Sequence, residues 1–244
     1  MIGILGGMGP YSTWYFCKLL LMNTDAKKDW EHLHTVIDNN TQIPSRTRAL
    51  LYNETSPLEK MIAACQALAK YPVDCIVIPC NSAHYWLKKV QEKVKVPIFN
   101  MIDIVVDSLS KQAKKGPVLV LGGYVTTQKK LYKQALVTKG FQHLSLSLED
   151  EKKTNYFIEK MKLLSDIPPK QLFQEWQTFI SKLIQEYSPN AIILASSELS
   201  PFKSETTTNL VIDSSEHLAT YLIDYAHHNK TFELDSETVK TFWE

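Results

Sequence analysis

Residues 71–84, YPVDCIVIPCNSAH, decide how this chain is read. The apolar run at 73–79, rich in Val, Ile and Cys, fits a strand buried on both faces, as in a parallel sheet. It ends abruptly on Cys80, Asn81, Ser82 and His84. Ligands in such sheets bind beyond the carboxyl ends of the strands, and Cys80 stands where that rule puts a reactive group.

A second stretch, YSPNAIILASSE at 187–198, repeats the pattern. Without a gap it lays Tyr187 on Tyr71, Asn190 on Asp74, Ile192 on Ile76, Leu194 on Ile78 and Ser196 on Cys80. One strand-and-site unit therefore occurs twice, with cysteine in the first copy and serine in the second.

Outward from these stretches, strands alternate with helices. A strand at 1–5 runs into the glycine-rich turn Gly6, Gly7, Met8, Gly9, Pro10, then a helix at 11–27 with Pro10 suited to its first position. Strand 34–38, helix 57–70, strand 73–79, helix 82–93, strand 97–101 and helix 104–115 follow. The pattern restarts with strand 117–121, helix 126–139, strand 141–146, helices 155–164 and 172–187, and strands 192–195 and 210–213. Ser214 is placed to cap a closing helix that ends near 228. The expected class is α/β, with two doubly wound parallel-sheet domains related by a pseudo-twofold axis. The division is 1–100 plus 207–244 for the first and 101–206 for the second, with the active site in the cleft between them. Cys80 and Ser196 would then face each other across that cleft.

Composition narrows the partners. The 244 residues are 44% hydrophobic and carry a formal charge of +1, with Lys and Arg scattered. Nothing in that balance calls for nucleic acid or a membrane surface. Cys17, Cys65, Cys75 and Cys80 form no CxxC pair or zinc-finger spacing, so free thiols in a reducing cytoplasm are expected. Met1 is followed at once by IGILGG, without a basic n-region or cleavage site, and a soluble cytoplasmic protein is the expectation. The glycine turn does not fit GxGxxG, because Met8 stands where the second glycine is needed. It reads as a tight turn bringing backbone close to a ligand.

A cleft with a weak acid on each wall can remove a proton from one face of a carbon and return one to the other. A free cysteine is about 3% thiolate at neutral pH, and a helix N-terminus raises that fraction. A serine hydroxyl can donate a proton but cannot act as a base unless another group takes its own. No GxSxG elbow surrounds Ser196, and Glu198 lies too near in sequence to be identified as a triad partner. The plain alternative is that Ser196 and Ser197 cap a helix. His84, a turn beyond Cys80, is a candidate orienter of the thiol. Arg46 and Arg48 lie past the second strand and could each fork onto a carboxylate, or sit in a solvated loop. Cys17, Cys65 and Cys75 read as small buried hydrophobes.

GILGGMGP at 3–10, NNTQIPSRT at 39–47 and PCNSAH at 79–84 together resemble the cofactor-independent aspartate racemases, within the aspartate, glutamate and hydantoin racemase superfamily. The resemblance implies two α/β domains around one active site, usually in a homodimer, acting on a small acidic amino acid without pyridoxal phosphate or metal. It makes Cys80 the first of two acid/base cysteines, with Asn81 and Ser82 holding the α-carboxylate and Met8 on the substrate-facing turn. Arg46 matches a carboxylate ligand, Thr126 the threonine of a GT pair, and Lys162 a lysine that neutralises the distal carboxylate. The family's second cysteine lies in a segment like LGCTE; here that segment is Leu194, Ala195, Ser196, Ser197, Glu198. Ser196 thus takes the second catalytic place and Ser197 lies beside the substrate. Two further readings stay open: a single-thiol isomerase or decarboxylase of a small dicarboxylate, and an amino-acid-binding protein with impaired catalysis.

Overall fold

The fold is seen in a computed structural model, which describes residues 1–112, 115–164, 168–206 and 210–229. In the first half the elements are β1 (Ile2–Leu5), α1 (Pro10–Asn23), β2 (Thr35–Asp38), α2 (Arg46–Leu51), α3 (Leu58–Leu68), β3 (Cys75–Val77), α4 (Leu87–Gln91), β4 (Ile98–Phe99) and α5 (Met101–Gln112). The second half has β5 (Pro117–Gly122), α6 (Tyr124–Gln128), α7 (Lys133–Thr138), β6 (Gln142–Leu144), α8 (Leu148–Leu164), α9 (Lys170–Tyr187), β7 (Ala191–Ala195), β8 (Val211–Asp213) and α10 (Ser214–Asn229). Two 3₁₀ segments, Asn81–Trp86 and Ser197–Glu205, follow β3 and β7.

Each half is built on a parallel four-stranded sheet, in the orders β2-β1-β3-β4 and β6-β5-β7-β8. The internal match is therefore a match of place: β3 and β7 are each the third strand of their sheet. The anchoring bonds repeat too, Asp74 N–H donating to Met1 O at 2.8 Å and Asn190 N–H to Pro117 O at 2.7 Å.

Strand alternation distributes the core. Ile2, Ile4, Cys75 and Val77 of the first sheet share one buried cluster with Val118, Val120, Ala191 and Ile193 of the second, joined by Phe16, Val105 and Leu222 from α1, α5 and α10. Ile76 and Ile78 turn to an outer cluster of the first half, and Leu119, Leu121, Ile192 and Leu194 to one of the second. The two sheets thus share a core between them, which holds the cleft in register.

Val211–Asp213, grouped from the sequence with the first unit, pairs with β7 in the second sheet, while α10 packs on α1 and α5. Residues 207–209 and 230–244 of that division lie outside the described residues. Helix 126–139 is in fact α6 and α7, separated where Lys130 turns left-handed at φ 50°. The helix expected at 155–164 starts earlier, at Leu148, because Ser147 caps it: Asp150 N–H donates to Ser147 Oγ at 3.1 Å, and that hydroxyl donates to the Asp150 carboxylate at 2.6 Å. Asp213 caps α10, accepting from Ser215 N–H at 2.8 Å, in place of Ser214.

The glycine turn is a packing device. Gly7 has φ 83°, and a Cβ there would lie 2.2 Å from the Asn40 carbonyl carbon. Its N–H donates to Thr13 Oγ1 at 2.9 Å. The backbone is thereby pressed against the loop after β2, which brings Met8 and Arg46 together.

Candidate active site

Cys80 and Ser196 occupy equivalent positions. Each is the residue before a 3₁₀ segment, with φ/ψ of −146°/105° and −156°/127°. Each carbonyl accepts from the N–H three residues on, Ala83 at 3.1 Å and Leu199 at 2.9 Å. Neither side chain caps its segment. The helix expected directly after Cys80 begins as this 3₁₀ stretch and becomes α-helical only at Leu87.

One cavity of about 400 Å³ between the halves is lined by Cys80, Ser196, Met8, Arg46, Asn81, Ser82, Thr126, Lys162 and Ser197. The two catalytic candidates and the seven substrate-binding candidates thus reach the same space, whereas His84 and Arg48 do not line it. Glu198, Ser12, Tyr15, Ile158, Met161 and Pro201 line it as well.

The Cys80 thiol lies 3.4 Å from Ser82 Oγ and 3.5 Å from the Met8 carbonyl, to which it can donate. The same carbonyl accepts from Arg46 Nη2 at 2.8 Å, and Arg46 Nη1 donates to Pro44 O at 3.1 Å. Arg46 Nε is buried and has no hydrogen-bond partner. Among the described residues no carboxylate pairs with Arg46, whereas Arg48 is forked onto Glu54 at 2.5 and 2.6 Å on the surface. The two arginines of α2 stand two residues apart, on opposite sides of the helix: one faces the cavity, the other solvent.

Asn81 lines the cavity, yet its side chain ties the halves together. Its Nδ2 donates to Ser214 Oγ at 3.1 Å, and its Oδ1 accepts from the Tyr132 hydroxyl at 2.5 Å. Lys162 reaches the cavity rim and pairs with Glu159 at 2.6 Å, both side chains largely exposed. Thr126 is buried at the start of α6, its N–H donating to Gly123 O at 2.8 Å.

His84 does not orient the thiol. Its Nδ1 lies 2.9 Å from Cys80 O, and its Nε2 accepts from Met101 N–H at 3.0 Å. A carbonyl can only accept and an amide N–H only donate, so the ring is neutral with its proton on Nδ1. Burial pushes its pKa down to about 4, against the lifting effect of its backbone bonds. It acts as a brace between the Cys80 backbone and α5. Cys65 and Cys75 are core residues whose thiols burial pushes up to about 12, and the half-buried Cys17 is raised for the same reason.

Two buried groups set opposed pH dependences. Unfolded His84 takes a proton near 6.5 and the folded ring resists it to about 4, so stability falls as pH drops through that window, on the order of 3 kcal/mol. Burial lifts Asp213 from 3.8 to about 6, so the fold gains a similar amount as pH drops between those values. Between pH 6 and 4.5 the Asp213 gain should offset the His84 loss, so wild-type stability should fall less than His84 alone would make it. Asp213→Asn keeps an N-cap acceptor and should expose the His84 loss, readable in urea melts at the two pH values. A variant curve that falls no more than the wild type's would contradict this.

No helix among the described residues is long and apolar enough to cross a membrane. The family model described as Asp/Glu/Hydantoin racemase matches residues 5–222. The chain is 28% identical over 224 residues to the broad specificity amino-acid racemase RacX of Bacillus subtilis (strain 168), covering 90% of this chain and 95% of that one. Its fold superposes on Picrophilus torridus aspartate racemase with a TM-score of 0.77 at 30% identity, over 93% of this chain and 94% of that one. An aspartate racemase homologue from Pyrococcus horikoshii OT3 shares the fold, with a TM-score of 0.76 at 24% identity over 93% and 98% of the two chains. With the doubled sheet and the doubled strand-end site, these matches place the chain in the Asp/Glu/hydantoin racemase family, as an isomerase of the amino-acid racemase type.

Proposed function

We propose that this enzyme inverts the α-carbon of small acidic amino acids, aspartate and glutamate, without a cofactor, with Cys80 as acid/base on one face and Ser196 at the opposite-face position. The observation that carries the reading is the pair of equivalent strand ends, which bring a thiol from one half and a hydroxyl from the other onto one cavity. Removing the α-proton moves negative charge onto the substrate carboxylate, so the site needs a cation already in place. Arg46 supplies it: its guanidinium is held by two carbonyls and is not neutralised by any described carboxylate. The Lys162–Glu159 pair is a surface ion pair worth little, so Lys162 is free to turn to a distal carboxylate. The working form on this reading is a homodimer, which sedimentation would check.

The test is proton NMR of L- and D-aspartate and L- and D-glutamate with the enzyme in deuterium oxide. Exchange with inversion from both enantiomers of one amino acid supports the reading, and no exchange from any of the four overturns it. The enantiomers have equal free energy, so kcat/KM must be the same in both directions. Unequal acid/base groups will show in kcat, in KM and in where deuterium is found. Arg46→Met should raise KM for aspartate about 10- to 100-fold, the cost of losing charged hydrogen bonds to a carboxylate. An unchanged KM would remove Arg46 from the anion site.

A further inference from the structure

The second half of the cavity holds an acid/base group that a thiol–hydroxyl pairing leaves unused. Two residues beyond Cys80 stands Ser82; two residues beyond Ser196 stands Glu198. In each half the pair is in contact, Cys80 Sγ with Ser82 Oγ at 3.4 Å and Ser196 Oγ with Glu198 Oε2 at 2.7 Å. The halves therefore carry the same two-residue device with the acid/base group moved from its first position to its second. Glu198 also accepts from Ser197 Oγ at 3.4 Å on Oε2 and from Ser12 Oγ of α1 at 3.3 Å on Oε1. No lysine or arginine among the described residues forms an ion pair with it. Because the Ser196 proton is directed at this carboxylate, the serine oxygen is left with lone pairs for another donor.

We propose that Glu198 is the proton acceptor of the second half and works through the Ser196 hydroxyl. The inference rests on the racemase reading above. For the enantiomer whose α-proton faces Ser196, the Cα–H bond breaks and a new O–H bond forms on Ser196. The hydroxyl's original proton passes to Glu198 Oε2. The electron pair stays with the substrate as an enediolate beside Arg46. Cys80 then gives its thiol proton to the other face of the α-carbon, leaving a thiolate and a protonated Glu198. Exchange with water restores the thiol and the carboxylate. In the opposite direction the Cys80 thiolate takes the α-proton, and protonated Glu198 returns one through Ser196. No redox partner or cofactor enters this balance.

Glu198→Gln tests it, because a glutamine oxygen still accepts the Ser196 hydrogen bond but cannot take the proton. Inversion of aspartate or glutamate, whichever the wild type racemises, should fall at least about 100-fold in kcat, with KM changed by less than about threefold. Deuterium exchange without inversion should persist for the enantiomer whose α-proton faces Cys80. Ser196→Cys in the Glu198→Gln background supplies a group that can itself gain and lose a proton, and should restore inversion at least about tenfold. A merely structural glutamate would give no such rescue. Wild-type inversion that survives Glu198→Gln within about threefold overturns the relay and leaves the racemase reading standing. A double variant no faster than Glu198→Gln also counts against the relay. A wild type inert toward all four amino acids overturns both.

Discussion

Cys80→Ala should lower kcat/KM for inversion about a hundred- to ten-thousand-fold, with little change in melting temperature. Inversion needs one proton-transfer group on each face, and the alanine variant has none on the β3 side. The side chain is half-buried at the margin of the first half's outer cluster, and its thiol sits at 3.4 Å from Ser82 Oγ and 3.5 Å from the Met8 carbonyl, so its removal costs the fold little. Cys80→Ser should be nearly as inactive. A serine there has Ser82 two residues on, where Ser196 has Glu198, so nothing is at hand to take its proton. The deuterium-exchange assay reads both variants directly. Inversion by Cys80→Ala within about tenfold of wild type would move the chemistry away from this thiol.

The largest loss of stability is expected from Trp176→Ala, about 3–5 kcal/mol. Trp176 is fully buried in α9, stacked on Phe202 at 4.7 Å and edge-on to Phe157 at 5.1 Å between ring centroids. Its Nε1 donates to Thr206 Oγ1 at 3.1 Å. Truncation would leave a cavity lined by rings, and rings on two different elements cannot collapse into it together. With about 2–4 °C per kcal/mol for a chain of this size, the melting temperature should fall by roughly 10 °C. Phe202 and Thr206 lie in and just after the segment that carries Glu198, so activity near the wild-type melting temperature should fall further than at 25 °C. A shift of less than about 3 °C would show that this cluster contributes little to stability.

Much of the fold follows from local chemistry. The β-branched runs at β3 and β7 can satisfy their alternating faces only when covered on both sides, which requires a parallel sheet with helices around it. Their ungapped match holds in space as the same strand position in two sheets of the same order. Element ends were less legible where a side chain chose between partners. Ser214 has the right residue type for a cap, but Asp213 takes that role and Ser214 accepts from Asn81. The run 126–139 has helical spacing throughout, and only the left-handed Lys130 breaks it. The acidic first turn of α8 could have been found from Ser147 and Asp150, whose spacing is a capping signal.

The site was legible in its residues and not in their bonds. Composition and spacing put Cys80 and Ser196 at strand ends, and the resemblance singled out Arg46 and Lys162. Which arginine faces the cavity depends on the path of α2, and whether His84 touches the thiol depends on where α5 begins. Asn81 shows the limit well: its amide is committed to Ser214 and Tyr132, residues far away in the chain.

By itself the sequence determined that two copies of one strand-and-site unit exist and that they differ, thiol against hydroxyl, because periodicity and residue type are local properties. Tertiary structure alone decided that both copies open onto one cavity, and that Ser196 gives its hydrogen bond to Glu198. Those relations depend on how a shared core sets two sheets against each other and on which rotamer a carboxylate adopts among three hydroxyls, and neither is written in the spacing of residues along the chain.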